Sequence, residues 1–351
     1  MSNRASVATN TGSSPKAAER LIFANQLRGL AALIVLASHL IGQYWGARDF
    51  AALATCTPVQ PGVPPPVYAL VANPWLQPGP FGVALFFLIS GLVIPFSLER
   101  TSGSRFLLAR LLRIYPTYWM ALLVSICLLH ADATLWDHVF PYGWRTIFAN
   151  VLLIHEVTGD PSIDLVNWTL CVELKFYLLM ALAYRFIQKW PASTILILSG
   201  LLAATRRQDG IDLILMLGGT LFHLRHHERI SRITLALCCC GLAVLFARGI
   251  QPPVLAYSYG FAALLFTLLF VFRRYAIPSR LLDGLAAISY PLYLVHFIAG
   301  FAVVKFLTLR LHLPYELSLI AALFLIITLA ALLHYMIELP TIALGRQITR
   351  R

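Results

Sequence analysis

The chain has 351 residues, 59% of them hydrophobic and only 12% charged, with a mean hydropathy of +0.76. Soluble domains carry roughly twice that charged fraction, so the composition excludes a soluble globular enzyme. A formal net charge of +12 would suit nucleic acid, but the basic residues gather at the ends of apolar runs, as membrane topology demands.

In chain order, residues 1–19 are polar and rich in Ser, Thr and Ala, and read as a disordered tail. They lack the layout of a cleaved signal. Apolar runs then predict membrane spans near 21–43, 79–98, 114–131, 168–187, 191–205, 211–224, 233–247, 253–271, 285–307 and 315–337. The runs 191–205 and 211–224 are short, and Arg206, Arg207 and Asp209 between them leave eight to eleven spans open. With the N-terminus inside, eighteen lysines and arginines fall on the cytoplasmic side and six on the other. The expectation is an all-α polytopic membrane protein, a bundle of about ten transmembrane helices with both termini cytoplasmic. Membrane lipids, not nucleic acid, are the expected partner of its basic loops. Residues 20–340 form one membrane domain and 341–351 a basic cytoplasmic tail.

Two segments stand out on the outer side. Residues 44–78 contain CTPVQPGVPPP, and 132–167 contain RTIFANVLLIHEV, a run too short to span that is either re-entrant or interfacial. Both carry aromatics suited to sugar faces or to an interfacial belt: Tyr44, Trp45, Tyr68, Trp75, Trp136, Tyr142 and Trp144. The six cysteines form no C-x-x-C pair, which argues against zinc or redox work. HLRHHER (His223 to Arg229) reads as a solvated basic turn, and no metal site is expected. His155 and Glu156 read as loop residues.

Function must lie in the polar residues that hydrocarbon disfavours. Arg28 and His39 share a helix face, eleven residues and roughly 16 Å apart along the axis. Arg28 reads either as a snorkelling anchor or as a functional cation, and His39 either as an interhelical hydrogen bond or as a functional base. Ser90-Gly91 permits close backbone approach, and Pro95 should kink its helix. Arg105, Arg110 and Arg113 precede Ile114-Tyr115-Pro116 at a cytoplasmic mouth, as topology anchors or as a fork for phosphate. Glu173 and Lys175 face different sides of a helix, so Glu173 should find its partner on another helix. Tyr290, Tyr293 and His296 form a polar stripe, and Glu338 reads as a partner for an arginine.

In this order the motifs resemble the membrane-bound acyltransferase-3 family. They are R-G-L…S-H (Arg28 to His39), F-F-L-I-S-G (Phe86 to Gly91), R-x-x-R-I-x-P-x-Y (Arg110 to Tyr118), W-x-L-x-x-E-x-x-F-Y (Trp168 to Tyr177), S-Y-x-x-Y-L-x-H (Ser289 to His296) and E-x-P (Glu338 to Pro340). The resemblance implies an integral, roughly ten-span enzyme that moves an acyl group, usually acetyl, from cytosolic acyl-CoA to a hydroxyl. Acceptors would be cell-envelope glycans or lipid-linked saccharides, sometimes small molecules, at a bacterial inner membrane. No bound cofactor is implied; acyl-CoA, acetyl-CoA above all, is a co-substrate. His39 would be catalytic, with Arg28 and Glu173 beside it. Arg110, Arg113, Tyr115 and Pro116 would bind the donor. Ser90, Trp168, Tyr177, Tyr290, Tyr293 and His296 would form a supporting polar network. Imidazole fits independently, since acyl transfer to an alcohol needs a base or a nucleophile. The competing reading is a transporter or flippase with the buried Arg, His and Glu as substrate or ion sites; the sequence shows no internal repeat to favour it.

Overall fold

The computed structural model describes residues 22–73, 75–249 and 253–350, so the tail expected over 1–19 lies outside the described residues. Among the described residues the fold is helical without strands. Its principal helices are α1 (Ile22–Gly46), α2 (Arg48–Thr55), α3 (Pro78–Leu98), α4 (Gly103–Leu135), α5 (Trp144–Val151), α6 (Asn167–Lys189) and α7 (Pro191–Ala204). They continue with α8 (Gln208–His226), α9 (Arg232–Gly249), α10 (Pro253–Val271), α11 (Arg280–Val295), α12 (Ile298–Arg310) and α13 (Tyr315–Ile348).

Among the described residues each of the ten apolar runs is mostly helical, but fewer are long and apolar enough to cross a bilayer. Five qualify, in α1, α3, α4, α10 and α13, and α11 with α12 makes a sixth if the pair, bent by 72°, counts as one span. Among the described residues, length and composition thus support five or six of the ten expected spans. The difference has physical sources. Helix α7 has only 14 residues, and α6 carries Glu173, Lys175, Arg185 and Lys189. Helix α8, buried from Gly210 to Leu224, carries Asp209, Asp212 and Arg225. The segment 341–351, expected as a tail, continues the last helix as far as Arg350, and Gly345 packs near Ala109 of α4.

Helix α3 is the hub, packed against α1, α8 and α10. Its contact with α8 is backbone on backbone: a Cβ on Gly91 would lie 1.9 Å from the Met216 carbonyl oxygen, and one on Gly219 would lie 2.2 Å from that of Leu88. Only glycine fits at this crossing. Pro95 lies inside α3 and cannot donate to the Gly91 carbonyl; Thr220 Oγ1 on α8 donates to it instead, at 3.2 Å.

The run from Arg145 to Val157 dips alongside α4. Tyr118 Oη, Trp119 Nε1 and Tyr115 Oη donate to the carbonyls of Asn150, Val151 and Leu152 at 2.7, 3.0 and 2.9 Å. They satisfy the acceptors that a helix C-terminus leaves free. Through these bonds the segment packs along the side of α4, away from both of that helix's ends.

Beyond it, Asp164 accepts from Ser125 Oγ (3.1 Å) and from the Val166 amide (3.3 Å), and burial raises its carboxyl to about 7. A raised folded-state pKa gives stability that is full below the unfolded value and is lost as pH climbs through the folded one. Asp164→Asn keeps the geometry without the charge. It is expected to stabilise the detergent-solubilised protein by roughly 2–4 kcal/mol at pH 8 and hardly at all at pH 4. Thermal melts at both pH values check this; equal shifts would show that ionisation of Asp164 is not the cause.

Candidate active site

Two cavities meet inside the bundle. The first is bordered by Arg28 (α1), Ser90 (α3), Arg110 and Arg113 (α4), Glu173 (α6) and Tyr290 (α11), with about 760 Å³ of unfilled space including its open mouth. Three guanidinium groups are held here against few carboxylates. Glu173 accepts a short hydrogen bond from Tyr177 Oη, and Glu338 lies within electrostatic reach of Arg113. Arg110 donates to Ser97 Oγ at 2.5 Å and lies over the rings of Phe106 and Tyr177. Tyr290 Oη donates to the Ile114 carbonyl at 2.8 Å, tying α11 to α4.

The second cavity is larger, about 1790 Å³ with its mouth, and is bordered by His39, Trp168, Gln208 and Tyr259 together with loop residues from Tyr68 to Asn73. Val83 and Tyr293 border both cavities. Arg28 and His39 thus divide between them because of their axial separation, although they share a helix.

Both histidines lie where a helix loses its regularity. His39 falls in a π-helical turn, Ser38–Gln43, and His296 at the 72° break between α11 and α12. Irregular turns of this kind re-aim side chains and are frequent at functional sites. Tyr315 Oη donates to the Leu40 carbonyl at 2.6 Å, and Leu40 packs where a Cβ on Gly300 would lie 2.6 Å from its methyl carbon. These contacts press the π turn against the start of α12.

The outcome is a directed chain of hydrogen bonds. His296 Nδ1 is 2.8 Å from the Tyr293 carbonyl oxygen, which can only accept, so Nδ1 carries the proton. In the neutral ring Nε2 of His296 is then the acceptor. It lies 2.7 Å from His39 Nδ1, which must donate. The ring planes are within 8° while the centroids are 5.0 Å apart, so the rings meet edge to edge. The chain leaves His39 Nε2 as the basic nitrogen, its tautomer set by the partner on the other nitrogen.

The structure therefore brings Arg28, Ser90, Arg110, Arg113, Glu173, Tyr290 and Tyr293 to one cavity, with Tyr177 behind Glu173. His39, Trp168 and Tyr293 border the other, with His296 behind His39. Glu173 does not meet His39: the ring is oriented by His296. Tyr115 and Pro116 line neither cavity, and Tyr115 instead donates to the Leu152 carbonyl at the end of α5. Glu173 takes its hydrogen bond from its own helix while lying within electrostatic reach of Arg28, Arg110 and Arg113 on others, and Glu338 bonds His334 Nδ1 at 2.7 Å as well as facing Arg113. Lys175 pairs with Glu156 and Asp209 at 2.6 and 2.8 Å, so Glu156 is no mere loop residue. Tyr44 and Trp45 are buried against Tyr315 and do not face a sugar; Tyr68 does border the His39 cavity. Asp212, buried and bonded by Tyr259 Oη at 2.9 Å beside that cavity, goes unnoticed in the sequence, although a carboxylate within an apolar run points to it.

The acyltransferase-3 family model, described as an acyltransferase domain, matches residues 21–206, just over half of the chain. The chain belongs to that family. This acyltransferase-3 protein is an integral membrane acyltransferase, with an acyl donor, an acyl acceptor and a lipid environment. The matched residues include Arg28, His39, Arg110, Arg113 and Glu173, while Tyr290, Tyr293 and His296 lie beyond them. No curated protein and no solved structure matches the chain.

Proposed function

We propose that this acyltransferase takes an acyl group, acetyl above all, from cytosolic acyl-CoA and passes it to a hydroxyl of a cell-envelope glycan or lipid-linked saccharide. It would do so in a bacterial inner membrane, with both termini in the cytoplasm. The observation that carries the reading is the chain from the Tyr293 carbonyl through His296 to His39, which presents a lone pair at His39 Nε2 beside the junction of two cavities. His39 Nε2 takes the proton of the acceptor hydroxyl as its oxygen attacks the thioester carbonyl. The C–S bond then breaks, and the imidazolium returns the proton to the departing thiolate. Atoms and charge balance without a cofactor.

The arginine cavity suits the phosphates of coenzyme A, because planar guanidinium groups grip phosphate oxygens in pairs. Arg113→Lys keeps the charge but loses the fork. It is expected to raise the donor KM about tenfold, near 1.4 kcal/mol, and to leave the acceptor KM unchanged. Steady-state kinetics on protein in nanodiscs, with labelled acetyl-CoA and envelope glycan, measure both constants. Equal effects on donor and acceptor, or inverted topology, would return Arg113 to the role of a membrane anchor. A transporter built on the same residues would move its substrate chemically unchanged, so label on the glycan decides between the two classes.

A further inference from the structure

His223 and His227 lie four residues apart at the end of α8, within the stretch whose composition reads as a solvated turn. The structure departs from that reading. His223 is almost fully buried, its ring 4.4 Å from that of Phe96, and its Nε2 is 3.0 Å from Glu99 Oε1, one residue beyond α3. His227 Nε2 approaches the same oxygen, at 3.6 Å. The flanking arginines turn elsewhere: Arg225 Nη1 donates to the Ile230 carbonyl, and Arg229 to the side chain and backbone of Gln188.

The second ring nitrogen of His223 fixes what can occupy this junction. Nδ1 lies 3.2 Å from the Leu92 carbonyl oxygen, an acceptor only, so Nδ1 is protonated. In the neutral ring Nε2 then points a lone pair at a carboxylate oxygen, also a lone pair. A positive centre has to lie between them. A proton bridges two atoms, whereas here three donor atoms converge, all within 4.8 Å of one another. Tetrahedral zinc, with bonds of ~2.0–2.1 Å, holds neighbouring ligand atoms ~3.3 Å apart, and the two measured separations from Glu99 bracket that value. An imidazole that donates its other N–H to a backbone carbonyl is also the usual outer-shell arrangement of a metal-bound histidine.

We propose that Glu99, His223 and His227 bind a zinc ion, with a fourth position left to water. Two imidazoles and a carboxylate are a donor set that zinc accepts. The ion ties the end of α3 to the end of α8. Glu99 is two residues past Ser97, the acceptor of Arg110, so the ion braces the wall in which the arginine cavity is built. This role is structural and independent of acyl chemistry.

The test uses the full chain in detergent, freed of any polyhistidine tag, stripped with chelator and dialysed against zinc. Bound metal is counted by mass spectrometry after desalting. One zinc per chain is expected for the natural sequence, together with a chelator-sensitive melting temperature. His227→Ala, at a side chain about one-third exposed (35%) and so tolerant of replacement, should weaken binding at least about 100-fold. Glu99→Gln should do the same, and cobalt in place of zinc should give the visible bands of a tetrahedral site that both variants lose. Failure of the natural chain to retain zinc, or equal retention by His227→Ala, overturns the proposal and leaves a proton shared between Glu99 and His223.

Discussion

His39→Ala is expected to leave the protein in the membrane at normal abundance and to lower acyl transfer at least about 10³-fold. The structural cost is small. His39 is half-buried and already borders a cavity, so truncation enlarges existing space instead of opening a sealed void. Its specific contacts are the hydrogen bond to His296 and an edge contact with Phe297. The chemical cost is large, because no other imidazole within the described residues borders that cavity. His296→Ala separates orientation from reaction. It leaves His39 in place but frees it to carry its proton on Nε2, the wrong nitrogen, and should lower turnover roughly 10²-fold with little change in either KM. Activity of both the natural chain and this variant should fall on acidification, since a protonated His39 has no lone pair to offer. Membrane abundance by immunoblot and label transfer from acetyl-CoA check the set. Substantial transfer by His39→Ala would remove His39 from the chemistry, and an unaltered rate in His296→Ala would remove the tautomer argument.

How far the sequence discloses this site follows from what a single helix can know. Arg28, Arg113 and Glu173 are legible because an ionisable side chain in an apolar run must face a polar space, whichever helix supplies the other side. That rule gathers residues from α1, α4 and α6 into one cavity without any knowledge of packing. It does not say which polar group touches which. Glu173 bonds Tyr177 four residues on, Glu338 bonds His334 four residues back, and Lys175 reaches Glu156 and Asp209, because helix rotation and tilt decide these pairs. The π turn at His39 and the break at His296 are equally hidden, since regular 100° periodicity is assumed in reading the pattern and both arise from contacts distant in sequence. Tyr115 shows the reverse error. Proximity in sequence to Arg113 suggests a shared role, yet two residues of helix turn it to another face, where it caps the end of α5. The count of ten spans is not confirmed on length and composition, in part because an apolar run such as α8 also carries Asp209, Asp212 and Arg225.

Sealed vesicles carrying the protein in one orientation should yield acylated product only when acyl-CoA is on the side of the arginine cavity and the glycan acceptor is on the side of Tyr68. The geometry behind this is the division of the polar interior at Val83 and Tyr293. Tyr293 is buried, held by Thr169 Oγ1 at 3.1 Å and by the edge of Phe86, and it stands at the boundary of the two cavities. Coenzyme A carries phosphates that cannot enter hydrocarbon, and of these two cavities the one with Arg28, Arg110 and Arg113 offers them counter-charge. The other cavity is rimmed by Tyr68, Asn73 and Gln77 and walled by Trp168, groups that hydrogen-bond hydroxyls and stack on sugar faces. On the proposed mechanism the thioester arm passes Tyr293 to reach His39 Nε2, and the acceptor hydroxyl, entering from the opposite end, meets it there. The measurement is labelled product in four arrangements, donor inside or outside crossed with acceptor inside or outside. Product confined to the opposite-side arrangement supports transfer across the membrane. Product formed with both substrates on the arginine side would identify the acceptor as a cytosolic small molecule, and would mean that the rim around Tyr68 selects nothing. Because a charged donor cannot leak across, the contrast between arrangements should approach all or none.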